Sequence, residues 1–188
     1  MTHEKIYYNI IVAFLTTIML FIIISCHEAE NTNTQIVDER DSLPVLTTNG
    51  ISTVISDSGI VKYKIITEDW LVYDKRNPKY WEFNHGLFLE QYNRKHEVEA
   101  YISCDTAHYY YEEGKWVLRG HVLAKNTLGE TFKTTLLYYN TTTQQFSSPK
   151  EMEVDGIERR LTGYDFYANQ SFTEYSIRNS SGYFPLED

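Results

Sequence analysis

Four histidines, two cysteines and two acidic pairs are the side chains in this sequence best placed to do chemistry. His85, His96, His108 and His121 recur every 11–13 residues, so each falls on its own strand or turn. That spacing could stack them at one end of a sheet. A metal site, however, usually needs closer ligand pairs or an accompanying Cys or carboxylate set, and the histidines are read as strand and loop positions. Cys104 has a histidine nearby in sequence but occupies a small-residue position on an apolar face, which suits buried filler better than a nucleophile. Glu97 with Glu99, and Glu112 with Glu113, lack the partner arrangement that marks a general acid–base pair. There is no Gly-rich Lys-Ser/Thr phosphate loop. These residues point away from catalysis, and no metal or cofactor is expected.

Cys26 is a different matter. Residues 6–24 are apolar except for Asn9 and Thr16-Thr17, and Lys5 is the only basic residue before them. The run ends Ile23-Ile24-Ser25-Cys26, and the chain turns polar at once with His27-Glu28-Ala29-Glu30. This resembles a bacterial lipobox, with Ile24 bulkier than usual. In such signals cleavage precedes the Cys, which then carries acyl chains; each buried CH₂ contributes ~0.8 kcal/mol to anchorage. The alternative is an uncleaved span, since the run is close to the ~20 residues that cross a bilayer. Residues 1–25 are therefore expected to be a lipoprotein-type signal peptide or a membrane anchor, with Cys26 the lipid attachment site in the first case. Residues 26–40 are aperiodic and polar and read as a flexible tether. Residues 41–188 form the folded domain.

Composition limits the partners. The chain has 188 residues, a net charge of −9 and 16 Tyr. An acidic surface does not suit nucleic acid, and no polybasic patch is present for anionic lipid headgroups.

The elements that must position these residues are strands. In residues 98–124, Val98, Ala100, Ile102 and Cys104 alternate with Glu99, Tyr101 and Ser103, and Trp116, Leu118, Gly120, Val122 and Ala124 alternate with Val117, Arg119, His121 and Leu123. A period of two puts alternate side chains on opposite faces of a strand. Asp105-Thr106 and Glu112-Glu113-Gly114 read as turns. Further strands are expected at 60–70, at 81–92 as a pair broken at Asn84-His85-Gly86, at 131–140, and in shorter pieces at 144–146, 152–154, 158–162 and 172–178. Asn49-Gly50, Asp57-Ser58-Gly59 and Asn179-Ser180-Ser181-Gly182 read as breakers. Many strands separated by turn signals indicate an all-β sandwich or open barrel.

Several of these segments together resemble the LptC family. They are Ser56-Asp57-Ser58-Gly59 leading into Val61-Lys62-Tyr63-Lys64-Ile65, and Cys104-Asp105-Thr106-Ala107-His108-Tyr109. Trp116-Val117-Leu118-Arg119-Gly120-His121-Val122, Gly129-Glu130-x-Phe132-x-Thr134-x-x-Leu137-x-Tyr139 and Gly163-Tyr164-Asp165-Phe166 continue the likeness. It covers roughly residues 41–184. Cys104 departs from it, since the family more often has Ala there, and many members carry an uncleaved helix rather than a lipobox. The resemblance implies an open antiparallel β-jellyroll or meander behind an N-terminal membrane anchor segment. It implies a periplasmic, inner-membrane-anchored component of lipopolysaccharide export. Lipopolysaccharide would come from an inner-membrane ABC transporter complex, which supplies the energy, and pass to a periplasmic bridge protein by strand addition.

An apolar groove would then cover the acyl chains. Strand parity nominates Val61, Tyr63 and Ile65; Phe88; Val98, Ala100 and Ile102; Trp116, Leu118 and Val122; Phe132, Leu136 and Tyr138; and Phe166. Leu136-Leu137-Tyr138-Tyr139 breaks parity, so its inward pair is ambiguous and points to a bulge. The same face would serve any β-sandwich as core. Lys62, Lys64, Arg159 and Arg160 either meet phosphate groups of the lipid head or are ordinary surface charges, and the second reading is preferred. The docking edges are expected near 53–67 and 163–178. A stand-alone lipid- or glycan-binding lipoprotein and a structural β adaptor are the other readings.

Overall fold

An antiparallel sheet with alternating side chains can bury one face and wet the other. The computed structural model describes residues 42–156 and 159–183, which fall within the unit Glu39–Asp188. The apolar run, Cys26 and the tether lie outside the described residues. The alternation is realised as twelve strands: β1 (Leu46–Asp57), β2 (Ile60–Tyr73), β3 (Tyr80–Phe83), β4 (Leu87–Tyr92), β5 (Val98–Cys104), β6 (Thr106–Tyr110), β7 (Lys115–Asn126), β8 (Thr131–Asn140), β9 (Gln145–Ser148), β10 (Met152–Asp155), β11 (Arg160–Asn169) and β12 (Tyr175–Tyr183). All pair antiparallel in one sheet.

Several strands are segments of one course. β3 and β4 both pair with β2 on one side, and with β6 and β5 on the other. β5 and β6 together run along β7, and β9 and β10 together run between β8 and β11. Among the described residues the sheet is therefore a meander of nine courses, with β1 and β12 at its edges, each paired with a single strand.

The interruptions line up. Residues 84–86 lie beside Asp105, which lies beside Gly120. The Gly86 amide donates to the Asp105 carbonyl at 2.8 Å, and the Asp105 amide donates to the Gly120 carbonyl at 3.0 Å. On β7 the register slips between Arg119 and Val122, so Gly120 and His121 stand opposite Thr135 alone. Two residues against one is a bulge, which bends its strand. Gly120 takes a φ of 71°, and a Cβ there would collide with the Asp105 carboxylate. Further along, Thr134 Oγ1 donates to the Glu151 carbonyl at 2.7 Å between β9 and β10. These features form a crease that crosses the courses from β2 to β10.

The sheet folds over at this crease. Tyr63 on β2 and Tyr139 on β8 are four strands apart in the sheet, yet their hydroxyls lie 3.4 Å apart. One layer holds the first part of β2, β4, β5, the last part of β7, the first part of β8, and β10. The other holds the rest of β2, β3, β6, the first part of β7, the last part of β8, and β9. The inner faces of the two layers meet as the core.

Three expectations change. Asn49-Gly50 does not break β1, whose pairing to β2 continues as Asn49↔Asp69 and Ile51↔Thr67, with Gly50 at a φ of 63°. Asp105-Thr106 is no turn but the crease within one course. β12 runs through 179–182, because Ser181 and Gly182 pair with Thr162 and Leu161. The expected break at Asn84-His85-Gly86 separates β3 from β4 as a kink within one course.

Asp69 holds the crease on the β2 side. Its Oδ1 accepts from the Asn84 amide at 2.9 Å and the His85 amide at 3.0 Å, and Oδ2 pairs with His85 Nδ1 at 2.9 Å. Burial pushes this carboxyl upward, but the His85 side chain and the two amides outweigh it, and the carboxyl sits below its ordinary value. A carboxyl depressed in the folded state stabilises the fold above its unfolded pKa. That contribution is lost as pH falls through the folded value. Asp69→Asn is expected to lower stability at neutral pH by ~1–3 kcal/mol. The difference from wild type should shrink on acidification, as urea melts at neutral and acidic pH would show.

Candidate functional site

Each layer carries an apolar ladder on its inner face. In the first, the pairings Ile65↔Leu89, Leu89↔Ile102, Ile102↔Ala124, Ala124↔Phe132 and Phe132↔Val154 run without a gap. In the second, Trp81↔Tyr109, Tyr109↔Trp116, Trp116↔Tyr139, Tyr139↔Phe146 and Phe146↔Ala168 do the same. The ladders face one another. Phe132 reaches Phe172 at 5.0 Å between ring centroids, and Tyr63 meets Tyr139 edge-on at 6.5 Å. Between the layers, around Tyr63, Leu89, Ile102, Trp116, Leu118 and Phe146, the residual void is only ≈ 10 Å³. That is about the space of one water, so the middle of the interlayer is filled.

The two sides of the interlayer differ. On the β1 side a cleft of ≈ 330 Å³ opens between Ile55, Tyr63, Trp81, Tyr109, Tyr111 and Trp116. Its rings are mutually braced, with Trp81 5.2 Å from Tyr109 and Tyr109 4.5 Å from Trp116. The cleft falls within the range of small-ligand sites. On the far side the layers are pinned by polar groups. Asn126 Nδ2 donates across to the Phe172 carbonyl at 3.0 Å and, within its own layer, to Glu130 Oε2 at 2.9 Å; the Tyr175 hydroxyl crosses to donate to Glu130 Oε1 at 3.4 Å, an oxygen that also pairs with Arg159. The side-chain amide of Gln91 donates to the Gln170 carbonyl at 2.8 Å, joining the rims of the two layers.

Of the residues nominated by parity, Ile65, Ala100, Ile102, Trp116, Leu118, Val122, Phe132 and Phe166 are buried in the interlayer. Tyr63 is half-buried at its margin, packed against the same core. Val61 and Val98 are half-buried and lie outside the core cluster. A register slip after Gln91 pairs Val98 with Tyr92 and takes it off the inner face.

Phe88, Leu136 and Tyr138 are on the outer face. β4 buries Leu87, Leu89 and Gln91, while Phe88 stacks on exposed Tyr101 at 6.1 Å. The bulge opposite Thr135 resolves the ambiguous run in β8: Leu137 and Tyr139 turn inward, and Leu136 and Tyr138 pair outside with Arg119 and Val117. Parity missed Leu89, Leu137, Tyr139, Phe146 and Phe172. Glu90 was the available signal for β4, because a charge shares its face with Phe88 and Tyr92.

The groups that could do chemistry are used structurally. His85 and His121 pair with different carboxylates, Asp69 and Asp105, and His108 lies 3.4 Å from Glu82. His96 sits in a turn at a φ of 63°. Burial pushes the Cys104 thiol up to about 12, which keeps it neutral at physiological pH. Burial beside Tyr139 likewise raises the Tyr63 phenol.

The assignment of faces predicts unequal costs for equal truncations. Phe132→Ala should destabilise the domain by ~3–5 kcal/mol, and Phe88→Ala by well under ~1.5 kcal/mol. Comparable losses in denaturant melts would contradict the observed register.

No curated protein matches the chain significantly. A family model described as "Lipopolysaccharide-assembly, LptC-related" matches residues 10–174, most of the chain. With an all-β meander folded over an apolar interlayer on the one hand, and this match on the other, the chain belongs to the LptC-related lipopolysaccharide-assembly family.

Proposed function

We propose that this protein is a membrane-anchored periplasmic carrier that takes lipopolysaccharide from an inner-membrane ABC transporter and passes it to a periplasmic bridge protein. Family membership implies a role in lipopolysaccharide transport and a periplasmic location. The observation that carries the finer reading is the pair of facing apolar ladders inside a sheet with two open edges. Acyl chains sliding between the layers would exchange side-chain contacts for chain contacts of similar polarity, so little net free energy need be supplied at each step. The aromatic cleft beside β1 supports an opening on that side, away from the Asn126–Phe172 contact that joins the layers.

The edges support strand addition. Among the described residues β1 and β12 are each paired on one side only, and an unpaired edge recruits another strand. Docking on the transporter is proposed for β1, and on the bridge protein for β12. Anchorage is proposed through acylated Cys26 or an uncleaved span within residues 1–25. A filled interlayer also fits a second reading, a structural β adaptor whose apolar face is only core.

Photo-crosslinkers distinguish the two. At Tyr63, Ile102 and Leu118 they are expected to trap lipopolysaccharide in cells, and at Phe88 and Leu136 they are not. Uniform absence of lipid adducts at the inner positions would favour the adaptor. A crosslinker at Asn179 on β12 should trap the bridge protein. For the anchor, Cys26→Ala is expected to abolish metabolic labelling with a radiolabelled fatty acid; labelling that persists would rule out acylation at this cysteine.

A further inference from the structure

Where the rims of the two layers approach, a cavity of ≈ 630 Å³ lies among Lys62, Arg94 and Lys95 from one layer and Gln144, Asn169 and Gln170 from the other. On a chain of net charge −9, three cations against one lining carboxylate, Glu99, form a local positive site. By contrast, Lys64 pairs with Glu90, Arg159 with Glu130 and Arg160 with Asp155. Lys62, Arg94 and Lys95 have no such ion pair among the described residues. Glu99 is itself held by the Gln170 amide at 3.3 Å. The side-chain amides of Gln144 and Gln145 have no hydrogen-bond partner among the described residues, which leaves them free to meet hydroxyls.

The cavity also has a floor. Gln170 lines it, accepts from Gln91 through its carbonyl, and accepts from the Tyr139 hydroxyl at 3.4 Å through Oε1. Gln91 and Tyr139 in turn line the apolar void between the layers. A basic, amide-rich cavity thus stands directly over the apolar interlayer, separated from it by one polar contact layer.

We infer that this cavity is a site for a phosphate-bearing saccharide, and that Lys62, Arg94 and Lys95 select the phosphorylated head of an amphiphile whose chains lie below. The inference rests on the lipid reading of the interlayer proposed above. Cations attract phosphate through space, and Arg adds paired hydrogen bonds to its oxygens. Amides supply the donors and acceptors that sugar hydroxyls need. Seating the head at Gln170 competes for the groups that bridge the rims, which couples head binding to parting of the layers.

The test is equilibrium binding of the full chain, in detergent micelles, to diphosphoryl lipid A and to the same lipid with both phosphates removed. Replacing Lys62, Arg94 and Lys95 together by Gln is expected to weaken diphosphoryl binding about tenfold. It should leave dephosphorylated binding unchanged and reduce the salt dependence. Replacing Lys64 and Arg160 by Gln should change neither, and equal melting temperatures for all variants would confirm the fold. Glucosamine 6-phosphate should compete for the diphosphoryl lipid where equal inorganic phosphate does not. Equal weakening of both lipids by the triple variant, or equal competition by inorganic phosphate, overturns the saccharide-phosphate site. Unaltered binding of both lipids by the triple variant overturns the site and leaves the interlayer reading standing. Failure of the wild-type chain to bind either lipid overturns both.

Discussion

A sheet of nine antiparallel courses with one apolar face must cover that face, and among the described residues no helical layer does so. The sheet therefore has to close on itself, and everything else follows from how it bends. A flat ladder would resist bending, because each backbone N–H and C=O is committed to its neighbour. The crease removes that resistance one course at a time. Residues 84–86, Asp105, Gly120-His121 and Thr135 each release a few ladder positions, and the Gly86–Asp105–Gly120 hydrogen bonds restore continuity across the fold line. Side chains take up the remaining backbone groups: Asp69 caps two freed amides, and Thr67 Oγ1 donates to the Gly86 carbonyl at 2.7 Å.

This explains why the strands were legible in the sequence and the faces only in part. β8 appears at 131–140 as its alternation predicts, since period two is a local property. The inward set is not local. The crease shifts parity on some courses and not on others: across Thr135 the buried set passes from Phe132 and Thr134 to Leu137 and Tyr139, whereas Trp116, Leu118, Val122 and Ala124 keep one parity across Gly120-His121. Phe88 was misplaced for a different reason: aromatic size suggests burial, but its face is shared with Glu90 and its inner neighbours are Leu87 and Leu89. Turn-forming sequences were also overruled. Asn49-Gly50 and 179–182 lie in edge strands, where pairing with one neighbour outweighs local turn preference. The candidate site depended on contacts across the fold, such as Gln91 with Gln170, which no periodicity reports.

Whether the apolar interlayer is a core or a lining is a matter of energetics more than of shape. With a void of ≈ 10 Å³ it is a core as it stands. Side chains packed this way lose little by exchanging one apolar neighbour for another, provided no cavity is left behind. The resistance to opening then comes from polar contacts between the layers, and these are distributed unevenly. On the far side, buried Asn126 and Glu130 reach across to Phe172 and Tyr175, and Glu130 also pairs with exposed Arg159, so disruption would leave a buried carboxylate short of partners, a costly outcome. At the rim, Gln91 meets a backbone carbonyl, and the two Tyr hydroxyls meet at 3.4 Å, a long and weak contact.

The polar contacts at the rim can be exchanged without penalty if an incoming group offers equivalent hydrogen bonds. A hydroxylated, anionic head can do this for Gln91, Tyr139 and Gln170; a hydrocarbon cannot. On the proposed function, chemistry would set the order of events in opening: the rim would yield to polar groups, and the apolar layers would then yield to acyl chains. The Asn126–Glu130 set would stay intact because it is buried and already satisfied. An acidic protein with a positive rim would in this way admit amphiphiles by their heads and exclude bare hydrocarbon, leaving the opposite side of the fold closed as a hinge.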